Sequence, residues 1–202
     1  MTKVELFAYL AAFVSIVLAV ALTDMIHSAH RLLRARQQVK WDPLALLLAL
    51  NVFILLLWNF FGLWGDAQYD RITFNGLLVM MTVPTLYTFA AFAVLPDEVP
   101  AQGLDLRKFH FDNRRYIVIL LALAAFGDLV RSIHYGAARG MLSYPMFWGT
   151  LAAVFGSTGI AFLVIYFARG WRIQLVAVLS LLIITYVSSL QLSIETLGSE
   201  LN

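Results

Sequence analysis

The sequence contains no cysteine, and only 13% of its 202 residues are charged. The absence of cysteine excludes disulfide bonds, thiolate metal sites and thiol redox chemistry. The shortage of charge excludes a soluble domain, because soluble proteins carry about 25% charged residues. The formal net charge is only +2 at pH 7, so no large excess of positive charge indicates a nucleic-acid partner.

Hydrophobic residues, in contrast, make up 61% of the chain. A small domain has too much surface to hide this amount of hydrocarbon from water. A helix crosses the hydrocarbon core of a bilayer with about 20 apolar residues. Six segments meet this requirement: Leu6–Ile26, Leu44–Trp64, Ile72–Leu95, Tyr116–Val130, Tyr144–Ala168 and Trp171–Leu192. The sequence therefore predicts an all-α integral membrane protein with six transmembrane helices and the lipid bilayer as its surroundings.

The basic residues are distributed unequally between the two sides of this predicted bundle. Ten of them follow the first, third and fifth segments: Arg31, Arg34, Arg36, Lys40, Arg107, Lys108, Arg114, Arg115, Arg169 and Arg172. The opposite side holds Lys3, Arg71, Arg131 and Arg139. Because short loops rich in Lys and Arg stay in the cytoplasm, we expect both termini outside and the basic loops inside. The small size and sparse loops favour a bacterial inner membrane.

A short polar pattern occurs twice, at the ends of the first and fourth segments. The residues Asp24, Ser28 and His30 recur at a constant offset as Asp128, Ser132 and His134. This pattern predicts two three-helix repeats, residues 1–95 and 116–202, joined by a cytoplasmic loop over 96–115 within one compact membrane domain. Three is an odd number, so the second repeat would enter the membrane from the opposite side, in inverted topology. The alternative is a chance resemblance between two helix ends that each needed polar residues.

Both copies place polar side chains along one face of a helix, at spacings of three and four residues. The first copy presents Asp24, His27 and Ser28, and the second presents Asp128, Arg131 and Ser132. An ionised carboxylate in hydrocarbon costs roughly 2.5–3.5 kcal/mol, so these six residues are candidates for an ion, proton or substrate site. The alternative is that each acid marks the end of a span and its neighbours extend into the headgroups.

Three further polar residues lie inside predicted spans. Asn51 and Asn59 fall on nearly the same face of the second helix, and Thr85 lies in the third. They are secondary candidates for lining a pore. The alternative is that they join helices to one another, as amides and hydroxyls commonly do in membranes.

Three classes of function fit this pattern. Inverted repeats commonly hold a substrate or ion near the bilayer midplane, which favours a transporter or channel for an ion, proton or small solute. The first alternative is a non-transporting scaffold, accessory subunit or sensor, including as a homo-oligomer. The second is a membrane enzyme or redox carrier, although the chain lacks a nucleophile elbow, a glycine-rich phosphate loop and a His–Glu zinc motif. We therefore expect no catalytic residue, metal or cofactor.

Overall fold

A computed structural model describes the backbone of residues 3–66 and 74–199, and the side chains of residues 7–62 and 76–188. Six α-helices follow one another along the chain: α1 (Lys3–Arg34), α2 (Pro43–Asp66), α3 (Phe74–Val94), α4 (Leu106–Ala138), α5 (Pro145–Phe167) and α6 (Trp171–Ser199). The connections contain two short strands, β1 (Val39–Lys40) and β2 (Leu104–Asp105), and a 3-10 turn at Met141–Ser143. The predicted all-helical class is confirmed.

All six helices are long and apolar enough to cross a membrane. Their outward faces carry large apolar side chains, among them Phe126, Met146, Ile160 and Ile183, all of them exposed. Water would solvate these faces poorly, whereas lipid tails are as apolar as the side chains themselves. The chain is therefore an integral membrane protein, as the sequence predicts.

The fourth helix begins earlier than the sequence predicts. The structure starts α4 at Leu106, ten residues before the predicted start at Tyr116. The Asp105 carboxylate accepts a hydrogen bond from the Lys108 backbone N–H at 3.1 Å, which caps the first turn. The predicted loop over 96–115 is wrong in its second half, because those polar residues form the first turns of a 33-residue helix.

The first helix is also longer than predicted. It continues from the predicted end at Ile26 to Arg34. Ser28 and Arg31 therefore lie on regular helix, and the Arg31 guanidinium donates a hydrogen bond to the Ser28 hydroxyl one turn away at 3.0 Å. The polar face that the spacing predicts in this segment is thus present on α1.

The three basic connections lie together at one end of the bundle. Strand β1 pairs in parallel with β2, with Val39 opposite Leu104, and this joins the α1–α2 connection to the α3–α4 connection. The indole N–H of Trp171, the first residue of α6, reaches the Asp42 carboxylate and brings in the α5–α6 connection. We call this end the basic end. This agrees with six segments that cross in alternating directions, because the connections after the first, third and fifth helices then fall on the same side.

Helix α3 packs most extensively on α4 and α1, whereas α6 packs mainly on α2 and α5. A continuous core of buried residues, including Leu18, Leu48, Ala90 and Leu121, joins the helices. In the part of the chain that the structure describes, α6 makes no contact with α4 comparable to the α1–α3 packing. The first and third helices of the first half therefore pack together, whereas the corresponding helices of the second half, α4 and α6, do not do so to a similar extent. The inverted repeat stays a prediction.

Candidate functional site

A cavity of about 370 Å³ lies among α2, α3, α4, α5 and α6. Polar side chains from all five of these helices line it: Asn51, Tyr87, Asp128, Arg131, Thr158 and Thr185. Cavities of about 300–1,000 Å³ with a few convergent polar groups are typical of small-molecule sites. No single helix carries more than two of these polar side chains, so they come together only because the five helices pack against one another.

An ion pair on α4 is the most polar feature of this cavity. The Arg131 Nη2 atom lies 2.8 Å from Oδ1 of Asp128, one turn earlier on the same helix. The Tyr87 hydroxyl of α3 donates a hydrogen bond of 2.7 Å to the other carboxylate oxygen, Oδ2. Among the residues that the structure describes, none makes a hydrogen bond of good geometry to Oδ1, although Arg131 is close enough to neutralise its charge. The charge of Asp128 is thus neutralised by Arg131, but one of its carboxylate oxygens, Oδ1, makes no hydrogen bond of good geometry to the described residues.

The ion pair lies inside the fourth candidate membrane span and not at the end of its helix. Asp128 precedes the end of α4 at Ala138 by ten residues, which is about 15 Å at a rise of about 1.5 Å per residue. Charged side chains within membrane spans are costly and usually belong to binding sites or ion pathways.

Asn51 adds an amide on the other side of the cavity. Its Nδ2 donates to the Thr185 hydroxyl at 3.2 Å, which links α2 to α6. Asn51 is buried, and both residues line the cavity. This single hydrogen bond therefore serves helix packing and cavity lining at once, so the two alternatives for Asn51 are compatible.

The remaining wall of the cavity is mostly apolar and aromatic. Trp58, Leu151, Phe155 and Phe162 contribute to it from α2 and α5. Gly62 leaves space beside the ion pair, since a Cβ there would lie 3.5 Å from Arg131 Nη2. The cavity thus joins one charged pair to a hydrophobic surface, which suits a small amphipathic molecule better than a bare ion.

A layer of tightly packed residues separates the cavity from the basic end. Leu48, Leu121, Ile165 and Val178 precede or follow the lining residues of their helices on that side, and all four are fully buried. All four side chains are apolar and belong to the continuous core of the bundle, a surrounding that disfavours ions.

Below that layer, buried polar groups hold the basic end together. His110 Nε2 lies 2.7 Å from Oε1 of Gln174, and Gln174 Nε2 donates to the Ala168 carbonyl at 2.6 Å. These contacts join α4, α6 and the α5–α6 connection. The sequence analysis did not identify this pair.

Asp42 forms a second junction at the same end. Its side chain is buried and accepts hydrogen bonds from Arg107 Nε at 2.8 Å, Trp171 Nε1 at 3.0 Å and the Leu44 backbone N–H at 2.9 Å. The Arg107 guanidinium also lies over the Trp171 ring, 5.2 Å from its centroid. One carboxylate thus joins the starts of α2, α4 and α6.

The two predicted polar faces have different surroundings. Asp128, Arg131 and Ser132 line the cavity together. Asp24 is half-buried, His27 is exposed, and Ser28 is buried against Arg31; these three are not among the residues that line this cavity. The structure therefore places the α4 candidates together at one cavity and leaves the α1 candidates outside it.

The other two secondary candidates bond within their own helices. Asn59 is buried, and its Nδ2 donates to the Leu55 carbonyl at 3.1 Å. The Thr85 hydroxyl donates to the Met81 carbonyl at 2.7 Å. Neither side chain is among those that line this cavity.

Tyr87, like Thr158 and Thr185, is a residue of this site that the sequence pattern did not predict. Tyrosines in membrane proteins are enriched at the bilayer interfaces, where the hydroxyl reaches water. Tyr87 instead lies within α3, seven residues before its end at Val94, and is buried. A phenol at that depth needs a protein partner, and this requirement is the signal that could have identified it.

Among the described residues, no group of three His, Asp or Glu side chains is placed to hold a metal ion. A scan against protein-family models finds no match. Neither a search of curated proteins nor a search of solved structures finds a similar protein.

Proposed function

We propose that this protein binds a small solute in the cavity around Asp128 and carries it across the membrane. The observation that supports this most strongly is the convergence of polar side chains from five helices on one cavity that holds an ion pair within a candidate membrane span. An Asp–Arg pair in hydrocarbon costs more than apolar residues of similar volume, so its presence there favours a function over a purely structural role.

The apolar residues between the cavity lining and the basic end favour a carrier over an open channel. An ion channel needs a continuous polar path, whereas Leu48, Leu121, Ile165 and Val178 are apolar and fully buried on that side of the lining. A carrier instead exposes its site to one side at a time. In the orientation that we propose, with the basic end in the cytoplasm of a bacterial cell, the cavity belongs to the outer half of the membrane.

The inverted repeat is a separate part of this proposal. The shared polar pattern around Asp24 and Asp128 supports it, while the different helix neighbours of the two halves do not. The cavity and its ion pair are formed largely by α4 and its neighbours, so carrier function does not depend on the repeat.

A flux assay in reconstituted vesicles tests transport. The probes are radiolabelled solutes of three charge classes, an amine, a carboxylate and a zwitterion, together with Na⁺, K⁺ and a pH gradient. We expect uptake of at least one probe above that of empty vesicles, and its loss in the double variant Asp128→Asn/Arg131→Gln. Asp24→Asn is the matched control, because it neutralises the corresponding acid of α1, and it should retain uptake. Uptake equal to that of empty vesicles for every probe would contradict transport.

Access of water to the cavity is testable with single cysteines, since the native chain has none. Ser132 lines the cavity, whereas Ser180 is a half-buried residue of α6 that is not among the residues that line it. We expect Ser132→Cys to react with a membrane-impermeant thiol reagent applied to the outer side, and Ser180→Cys to stay unreactive. An unreactive Ser132→Cys would mean that the site is dry.

A sensor that binds a solute without moving it is the second candidate. The hydrogen bonds of Asp42, His110 and Gln174 at the basic end favour it, because they join three helices at the end that a carrier would have to open. Binding of a probe in detergent without any flux in vesicles would favour the sensor over the carrier.

A further inference from the structure

We infer that the solute is a zwitterion with an apolar body, in which an ammonium group and an acidic group are close together. This inference rests on the proposed function in one respect, namely that the cavity is a binding site. It adds the chemical class of the ligand, which the carrier and the sensor would share.

The first argument is the order of charges along α4. Asp128 and Arg131 are one turn apart, and both side chains line the cavity. An ammonium group that enters the cavity beside Asp128 would meet a carboxylate that is not saturated in hydrogen bonds, because its buried Oδ1 atom makes none of good geometry among the described residues. An acidic group of the same molecule would face the Arg131 guanidinium, whose planar set of donors matches a carboxylate or phosphate.

The second argument is the balance of charge. The Asp128–Arg131 pair is neutral as a unit, and the surrounding wall is mostly apolar. A solute with a net charge would therefore leave one uncompensated charge in a medium of low dielectric constant, which is strongly unfavourable. A zwitterion brings both charges at once and leaves the site neutral.

The third argument is the rest of the cavity wall. Trp58, Phe155 and Phe162 contribute aromatic surface to this wall. A volume of about 370 Å³ holds a molecule the size of an amino acid with a large side chain, together with a few waters. Burial of that side chain on the aromatic wall would provide hydrophobic binding energy that glycine cannot obtain.

Two sources could present this chemistry: a free amino acid, or the headgroup of a zwitterionic phospholipid. The decisive measurement is equilibrium binding to the purified protein in detergent, followed by tryptophan fluorescence and by calorimetry. The probes are L-phenylalanine, its amine analogue phenethylamine, its acid analogue 3-phenylpropionate, glycine, and dihexanoylphosphatidylethanolamine.

We expect L-phenylalanine to bind at least about tenfold more tightly than either singly charged analogue or glycine, because each comparison removes one charge-assisted hydrogen bond or the apolar contact. The double variant Asp128→Asn/Arg131→Gln removes both charges without leaving one unpaired, and should abolish this preference. The Asp24→Asn control should bind as the native protein does. Tighter binding of the phospholipid, in competition with phenylalanine, would support the zwitterion and assign it to the lipid.

Equal or tighter binding of phenethylamine or 3-phenylpropionate would overturn the inference, as would a lack of binding by both zwitterions. The assay needs no transport, so its outcome is separate from that of the flux assay. Binding of a zwitterion without flux would contradict the carrier and support the ligand class. Flux of an amine alone would support the carrier and contradict the ligand class.

Discussion

Asp42 and Asp105 both precede a helix, yet their surroundings differ. Asp105 is half-exposed and accepts one backbone hydrogen bond, from Lys108. Asp42 is buried and accepts from Leu44, Arg107 and Trp171, residues of three different helices. The same carboxylate thus acts as a local cap at one position and as a tertiary junction at the other.

This contrast predicts a difference in stability. Asp42→Ala should lower the free energy of unfolding by about 2–3 kcal/mol, because it removes a cap and leaves the Arg107 guanidinium and the partly buried Trp171 indole N–H without their acceptor. Asp105→Ala, the matched control, should cost only about 1 kcal/mol, the usual value of a helix cap. Denaturant titration of the purified protein in micelles measures both. Equal costs for the two variants would show that Asp42 is no more than a cap.

The hydrogen bond between Tyr87 and Asp128 carries the second prediction at this scale. Tyr87→Phe removes the donor to Oδ2 and keeps the ring, so we expect a loss of about 1–2 kcal/mol in the free energy of unfolding. The same change made in the Asp128→Asn/Arg131→Gln background should cost clearly less, since the charged acceptor is gone. A double-mutant cycle with no coupling would place the two groups apart in the folded protein.

At the scale of the helices, the close approach of α3 and α4 depends on a glycine. A Cβ at Gly127 would collide with the Val83 side chain. Val83 is buried, and a β-branched side chain in a helix has little rotamer freedom with which to move away. The neighbouring Asp128 is thereby held within reach of Tyr87 on α3.

Gly127→Ala should therefore destabilise the protein by about 1–3 kcal/mol, the usual cost of overfilling a packed interface. Gly156 on α5 is the control, because nothing lies within 4 Å of a Cβ placed there. Gly156→Ala should be neutral or stabilising by about 0.5–1 kcal/mol, since alanine favours helix over glycine. Thermal unfolding in detergent separates the two variants, and a neutral Gly127→Ala would mean that α3 and α4 are farther apart.

Hydropathy predicted the existence of the six helices better than it predicted their ends. The start of α4 was missed because Arg107, His110 and Arg114 lower the local hydropathy, although all three lie on the helix. His110 and Arg114 are both buried, and His110 contacts Gln174 of α6. The contact between His110 and Gln174 joins residues 64 positions apart, so no short stretch of sequence contains both of them.

At the scale of the whole molecule, the same limit applies to the site. The spacing of Asp128, Arg131 and Ser132 predicted a shared helix face, and these residues do line one cavity. The same spacing argument predicted a shared face around Asp24, but Asp24 is not among the residues that line the cavity. Local spacing reports which side chains share a face, but only the packing of the helices decides which face encloses a cavity. Tyr87, 41 residues from Asp128, became part of the site through that packing.

The arrangement of the connections predicts a labelling pattern. Gln37 and Gln102 are exposed at the basic end, and Ser143 is exposed in the α4–α5 connection. We expect Ser143→Cys to react with an impermeant maleimide in intact cells, and Gln37→Cys and Gln102→Cys to react only after permeabilisation. The reverse pattern would contradict the orientation. Labelling of Gln37→Cys and Gln102→Cys from different sides would contradict the threading of the helices.

The junction at Asp42 has a consequence for biosynthesis. Its donors Arg107 and Trp171 are 65 and 129 residues downstream, so each is synthesised long after Asp42 has left the ribosome. The set of donors around Asp42 is therefore complete only when the final helix has been made. A chain interrupted before α6 would keep Leu44 and Arg107 but lack the Trp171 indole, and with it the hydrogen bond that ties α6 to the start of α2.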